Sequence, residues 1–195
     1  MDTILTIIVV SGQSFQRSGS LGIVAHKYLE RELGFIYCRG DDVIYGKQKD
    51  AQTMVEAFTA DNSVEGIIMT QKTSKKKLHN YGVVKLKDGN YLDPIVERPA
   101  KASQPSDLAS YGRYLLKPSI FTATDIVLKN LSGGEFMLVD AVTELAKDKK
   151  VLVAKTKGLW LTTGDPKNHL KAQVKFGLGN KDFNDEFTQF LRDSI

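Results

Sequence analysis

Short apolar runs that alternate with segments of helical period constrain this chain more than any other feature. Ile4 to Val10 is rich in β-branched residues and almost wholly apolar, the pattern of a strand covered on both faces. A helical pattern follows from about Leu21 to Leu33, and Phe35 to Cys38 reads as a second buried strand that ends at Gly40-Asp41-Asp42. A second helix fits Ala51 to Ala60, with Met54, Val55 and Phe58 on one face, before a third strand from Val64 to Thr70. Strand, helix, strand at this spacing predicts an α/β sheet.

Beyond residue 70 the pattern changes. Gln71 to Lys77 is polar and basic, and two extended runs joined by Lys87-Asp88-Gly89-Asn90 suit an antiparallel hairpin, which makes the sheet mixed. A strand is expected over Leu108 to Leu116, a helix from Pro118 to about Leu128, and another from about Phe136 to Lys147 after Ser132-Gly133-Gly134. Val151 to Lys155 and Gly158 to Leu161 are the last extended pieces. Asp165-Pro166 pairs a capping carboxylate with a proline at the first helical position, and an amphipathic segment from Phe183 to Leu191 closes the chain. With no linker or repeat in its 195 residues, the chain is read as one domain, 1–195, with its C-terminal helices from about 165.

Composition excludes several classes. Cys38 is the single cysteine, so neither a disulfide scaffold nor a cysteine-based zinc site is available, and a reducing, cytoplasmic setting is expected. The longest apolar run falls far short of the ~20 residues of a membrane span. Twenty-seven basic against twenty-three acidic residues is a mild excess, and the run Lys75-Lys76-Lys77 lacks interleaved aromatics. No nucleic acid and no membrane are therefore expected as partners. His26, His79 and His169 show no metal-ligand spacing and read as structural or exposed.

Six motifs occur in order: Gly40-Asp41-Asp42, Tyr81-Gly82-Val83-Val84, Ile95-Val96-Glu97-Arg98-Pro99, Gly112-Arg113-Tyr114-Leu115-Leu116, Gly133-Gly134-Glu135 followed by Asp140-Ala141, and Thr163-Gly164-Asp165. Together they resemble the later two thirds of bacterial UTP–glucose-1-phosphate uridylyltransferases. The resemblance implies a Rossmann-like nucleotidyltransferase fold, magnesium, and conversion of UTP and glucose 1-phosphate to UDP-glucose and pyrophosphate. A homodimer through the later helices is a further expectation. The family's opening strand and Gly-rich G-x-G-T-R type loop have no counterpart in the sequence. The expected fold is thus incomplete at its N-terminal side, inactive alone or completed by a complementing N-terminal chain. A non-catalytic subunit that binds a UDP-sugar is the alternative.

By the same resemblance Asp41 stands where the family has its magnesium carboxylate, while Thr162 replaces the second ligand, a carboxylate two residues before the matched Gly164. Glu97 matches the acid that contacts the sugar, and Arg98 stands in place of a lysine that meets the sugar phosphate, a catalytic role. Tyr81 and Gly82 match the backbone that approaches the sugar; Arg113, Gly134 and Glu135 are further candidates for the substrate, and Gln16 and Gly22 lie near the uracil-contacting segment. Residue chemistry alone leaves other readings open. Asp41 and Asp42 suit a turn, Glu97-Arg98 a surface pair, Gly82 a bulge, Arg113 a sheet-edge cap, and Glu135 the first turn of a helix.

Overall fold

The computed structural model describes residues 6–10, 26–47, 49–133 and 136–195. Strands β1 (Thr6–Val10), β2 (Phe35–Arg39), β4 (Val64–Lys72), β5 (Gly82–Lys87), β6 (Tyr91–Glu97), β7 (Leu108–Leu116) and β8 (Lys150–Lys155) form one sheet in the order β1-β2-β7-β4-β8-β6-β5. β1 and β2 run parallel, as do β4 and β8, whereas β7 lies antiparallel between β2 and β4. β3 (Asp42–Tyr45) and β9 (Leu159–Thr162) make a separate antiparallel pair. A mixed α/β sheet is what the sequence pattern predicts.

Side chains alternate across the sheet with the two-residue period of extended backbone, which explains its two apolar faces. From β2, Phe35 and Tyr37 point into one cluster and Ile36 into the other, where half-buried Cys38 packs against it. β7 divides in the same way, with Tyr114 and Leu116 on the first face and Leu115 on the second. The first cluster is closed by helices α3 (Ser119–Asn130) and α4 (Leu138–Asp148), through Ile120, Phe121, Val142 and Leu145. The second is closed by α2 (Asp50–Ala60) through Met54 and Phe58, one turn apart on one helical stripe. Each large side chain so buried stabilises the fold by about 1.5–3 kcal/mol before entropy is charged against it.

The predicted hairpin forms, with Asp88 at φ 47° and Gly89 at φ 89° making the turn between β5 and β6. Asp165 caps α5 (Pro166–Gly179), its Oδ1 accepting from Asn168 N at 3.0 Å, and α6 (Asn184–Asp193) packs on α5. Two expectations need correction. Of the helix expected over Leu21 to Leu33, residues 21–25 lie outside the described residues, and the described part is helical only over α1 (His26–Leu29). Leu29 is buried and His26 stacks on Phe121, but Leu33 is 62% exposed, so there is no further apolar face to hold the helix together before the chain enters β2. The strand ending at Gly40-Asp41-Asp42 instead turns at Gly40-Asp41, and Asp42 opens β3. Among the described residues no helix is long and apolar enough to cross a membrane.

Candidate functional site

At the C-terminal end of β2 the chain reverses through Gly40-Asp41 into β3, and this turn is held from below. Asp42 is 5% exposed; its Oδ1 accepts from Trp160 Nε1 at 2.6 Å and its Oδ2 from the Gly112 amide at 3.1 Å. Burial raises the Asp42 pKa, and the two hydrogen bonds oppose that shift. Arg113 donates to the carbonyl of Arg39 at 3.0 Å and to that of Asp42, clamping both ends of the turn. Just past the end of β9, Thr163 N and Oγ1 both donate to the Asp41 carbonyl, at 2.6 and 3.0 Å.

With its neighbours so fixed, the Asp41 carboxylate is left facing outward. A Cβ on Gly164 would lie 3.2 Å from Asp41 Oδ2 and 3.7 Å from Thr162 Oγ1, so the β9 end and the Asp41 carboxylate share one small space. Asp41 Oδ2 also accepts from Arg39 Nη2 at 3.0 Å. The Arg39 side chain lies flat on Gly112, where a Cβ would fall 2.2 Å from its Cγ. Gly112 therefore serves close approach rather than turning.

A second corner forms where β5 pairs with β6. Gly82 stands opposite Glu97, and a Cβ at Gly82 would lie 2.6 Å from Glu97 Oε1 and 3.0 Å from Ser110 Oγ of β7. The Glu97 carboxyl thus rests on bare backbone. Partial loss of hydration raises its pKa; Arg98 opposes the shift, Asp140 adds to it and Arg39 opposes it. Arg98 follows at φ 44°, a left-handed conformation that an L residue adopts at a cost, and its N–H donates to the Tyr81 carbonyl at 3.1 Å. Asp140, whose Oδ2 accepts from Met137 N at 3.1 Å, brings the start of α4 to the same corner.

Aromatic packing joins the corners. Trp160 stacks on Tyr111, with ring centroids 5.1 Å apart, and meets the Tyr81 ring edge-on at 4.8 Å while its indole N–H holds Asp42. Tyr111 in turn donates to Asp50 at 2.7 Å, and Thr156 donates to the other Asp50 oxygen at 2.8 Å. Of the residues selected from sequence, Asp41, Tyr81, Gly82, Glu97, Arg98 and Arg113 are brought to these two corners or their support. Gln16, Gly22, Gly134 and Glu135 lie outside the described residues. Arg113 spends two donors on backbone carbonyls, a clamp that neither the phosphate nor the sheet-edge reading anticipates. Arg39 and Trp160 were missed, and only the position of Arg39, immediately before Gly40-Asp41, carries a local signal.

The donor set does not make a self-sufficient metal site. Asp41 is the one outward carboxylate of the turn and is paired to Arg39; both oxygens of Asp42 are engaged by Trp160 and Gly112, and Thr162 is neutral. Among the described residues no three His, Cys, Asp or Glu side chains gather so as to hold a metal ion.

Residues 21–177 match the nucleotidyl transferase family model. The UTP–glucose-1-phosphate uridylyltransferase of Streptococcus pneumoniae serotype 4 is 30% identical over 166 residues, which cover 80% of this chain and 54% of that protein. UTP–glucose-1-phosphate uridylyltransferase 2 of Staphylococcus saprophyticus is 25% identical over 162 residues, covering 81% and 55%. The chain thus spans little more than half the length of these relatives. In three dimensions it resembles the UTP-bound UGPase from Acinetobacter baumannii, with a TM-score of 0.79 at 22% identity, over 91% of this chain and 62% of that one. The Asp41 turn and the Glu97 corner both lie within the matched span, and the chain belongs to the nucleotidyl transferase family.

Proposed function

We propose that this chain carries the sugar-phosphate side of a UTP–glucose-1-phosphate uridylyltransferase site. The reading rests on one observation above others: Gly82 and Glu97, paired across β5 and β6, and the Asp41 turn are joined through the packed Tyr81 and Trp160 rings, and we read the space between these two corners as the substrate crevice. In the reaction, a phosphate oxygen of glucose 1-phosphate attacks the α-phosphorus of UTP. That P–O bond forms as the bond to the bridging oxygen breaks, and pyrophosphate leaves with the electron pair.

Each residue has a part consistent with its setting. The Glu97 carboxylate accepts sugar hydroxyls, and bare Gly82 lets the backbone come close to the ring. Arg98, in its left-handed backbone conformation directly after β6, offers a bidentate guanidinium to the sugar phosphate. Arg113, Trp160 and Asp42 are positioning residues that hold the Asp41 turn. We place the chain in the cytoplasm as a single domain, and read the exposed Leu170, Phe176, Phe183 and Phe190 of the C-terminal helices as a homodimer face, which sedimentation would test.

Titration calorimetry of the 195-residue chain with UDP-glucose tests the binding half. Saturable binding that Glu97→Gln weakens supports the reading, and no binding sinks it. Adding UTP and glucose 1-phosphate and following pyrophosphate tests turnover. Robust release by the chain alone would show that it carries a whole site rather than the sugar side.

A further inference from the structure

The Asp41 turn carries its own cation. A turn that presents carboxylate to a phosphate repels it unless positive charge lies between them, and transferases of phosphorus commonly place a divalent ion there. Such an ion is held by one or two free carboxylates together with substrate phosphates. Here the single outward carboxylate already accepts from Arg39 Nη2 at 3.0 Å, and its neighbour Asp42 is consumed internally.

Arg39 is built into this place. Its stem crosses Gly112, where any side chain would strike it at 2.2 Å, and Arg113 fixes the carbonyl of its own backbone. A guanidinium keeps its charge throughout the pH range of a folded protein, and the Asp41 carboxylate fixes one edge of it at 3.0 Å. The Arg39 side chain is still 52% exposed, so donors not used on Asp41 are open to solvent and to a ligand. A guanidinium has five donors in a planar fork, and an Asp on one edge leaves the other for two phosphate oxygens.

We propose that Arg39, oriented by Asp41, holds a phosphate of the sugar nucleotide in the role a divalent ion would fill, so that UDP-glucose binds this chain independently of magnesium. The proposal rests on the uridylyltransferase reading of the crevice. It gives Arg39 contact with substrate, and Asp41 the work of aiming it.

Calorimetry with UDP-glucose in magnesium and, separately, in EDTA decides the matter for the full chain and for Arg39→Gln and Arg39→Lys. The unmodified chain should bind equally in both buffers. Arg39→Gln, which keeps the stem over Gly112, should weaken binding in EDTA by about tenfold to a hundredfold, the worth of a charge-assisted pair. Arg39→Lys keeps the charge without the fork and should fall between them, which also reports on the site if the glutamine variant folds poorly. Binding by the unmodified chain that vanishes in EDTA overturns the proposal and leaves the uridylyltransferase reading intact. Unchanged binding by Arg39→Gln in EDTA does the same. No binding by the unmodified chain in either buffer defeats that reading, and this proposal with it.

Discussion

The two corners of the crevice hold their acidic residues in opposite ways. At the Asp41 turn, backbone and side chains are tied several times over, through Asp42, Trp160, Gly112, Arg113 and Thr163. At the Glu97 corner the carboxyl rests on bare glycine, and the next residue keeps a left-handed backbone tied to the Tyr81 carbonyl by one hydrogen bond. The first corner stores stability and presents one carboxylate; the second spends stability to present two side chains. A site that must grip a rigid phosphate and adapt to a hydroxylated ring has use for both.

Substitutions can break this contrast. The largest effect is expected for Asp42→Ala, which strands the Trp160 indole N–H and the Gly112 amide in a buried place and should cost about 3 kcal/mol in urea unfolding. Asp42→Asn keeps an acceptor and should cost less. If the two variants unfold alike, the turn is not held by those hydrogen bonds. Next comes Gly82→Ala, whose Cβ meets Glu97 Oε1 at 2.6 Å. It should destabilise by about 2 kcal/mol and weaken UDP-glucose binding, because Glu97 must leave its seat.

Arg98→Gly should act in the other direction. Glycine adopts φ 44° freely, so thermal unfolding should show a gain of about 1 kcal/mol while UDP-glucose affinity falls. A loss of stability would mean that Arg98 is not strained. The smallest effect is a slope. Burial raises the Asp42 pKa, so between its unfolded and folded values the native state binds the extra proton. Asp42 therefore makes stability decline as pH rises from the ordinary aspartate range through its raised value. In Asp42→Asn that part of the decline should disappear from unfolding curves taken from about pH 4 upward.

Much of this architecture is written locally. β7 spans the residues that its apolar run marks, and Asp165-Pro166 starts α5 as a cap and a first-turn proline should. What was not legible depends on distant partners. β3 is four residues long and exists through β9, more than a hundred positions away, with Asp42 opposite Thr162. The family motif marks Asp41 in the sequence, and the structure shows why it faces outward: its neighbour Asp42 has been drawn inside. Trp160 gave no sign of itself, because an aromatic in a short strand is ordinarily core. Its N–H finds a carboxylate only after β9 folds against β3.

Trp160 is also the chain's single tryptophan. The protein therefore carries an intrinsic optical probe at the junction of its two corners, with one indole reporting on Asp42, Tyr81 and Tyr111 together. Its emission should shift or quench when ligand enters the crevice, and no label need be introduced to follow occupancy or the opening of the Asp41 turn in real time.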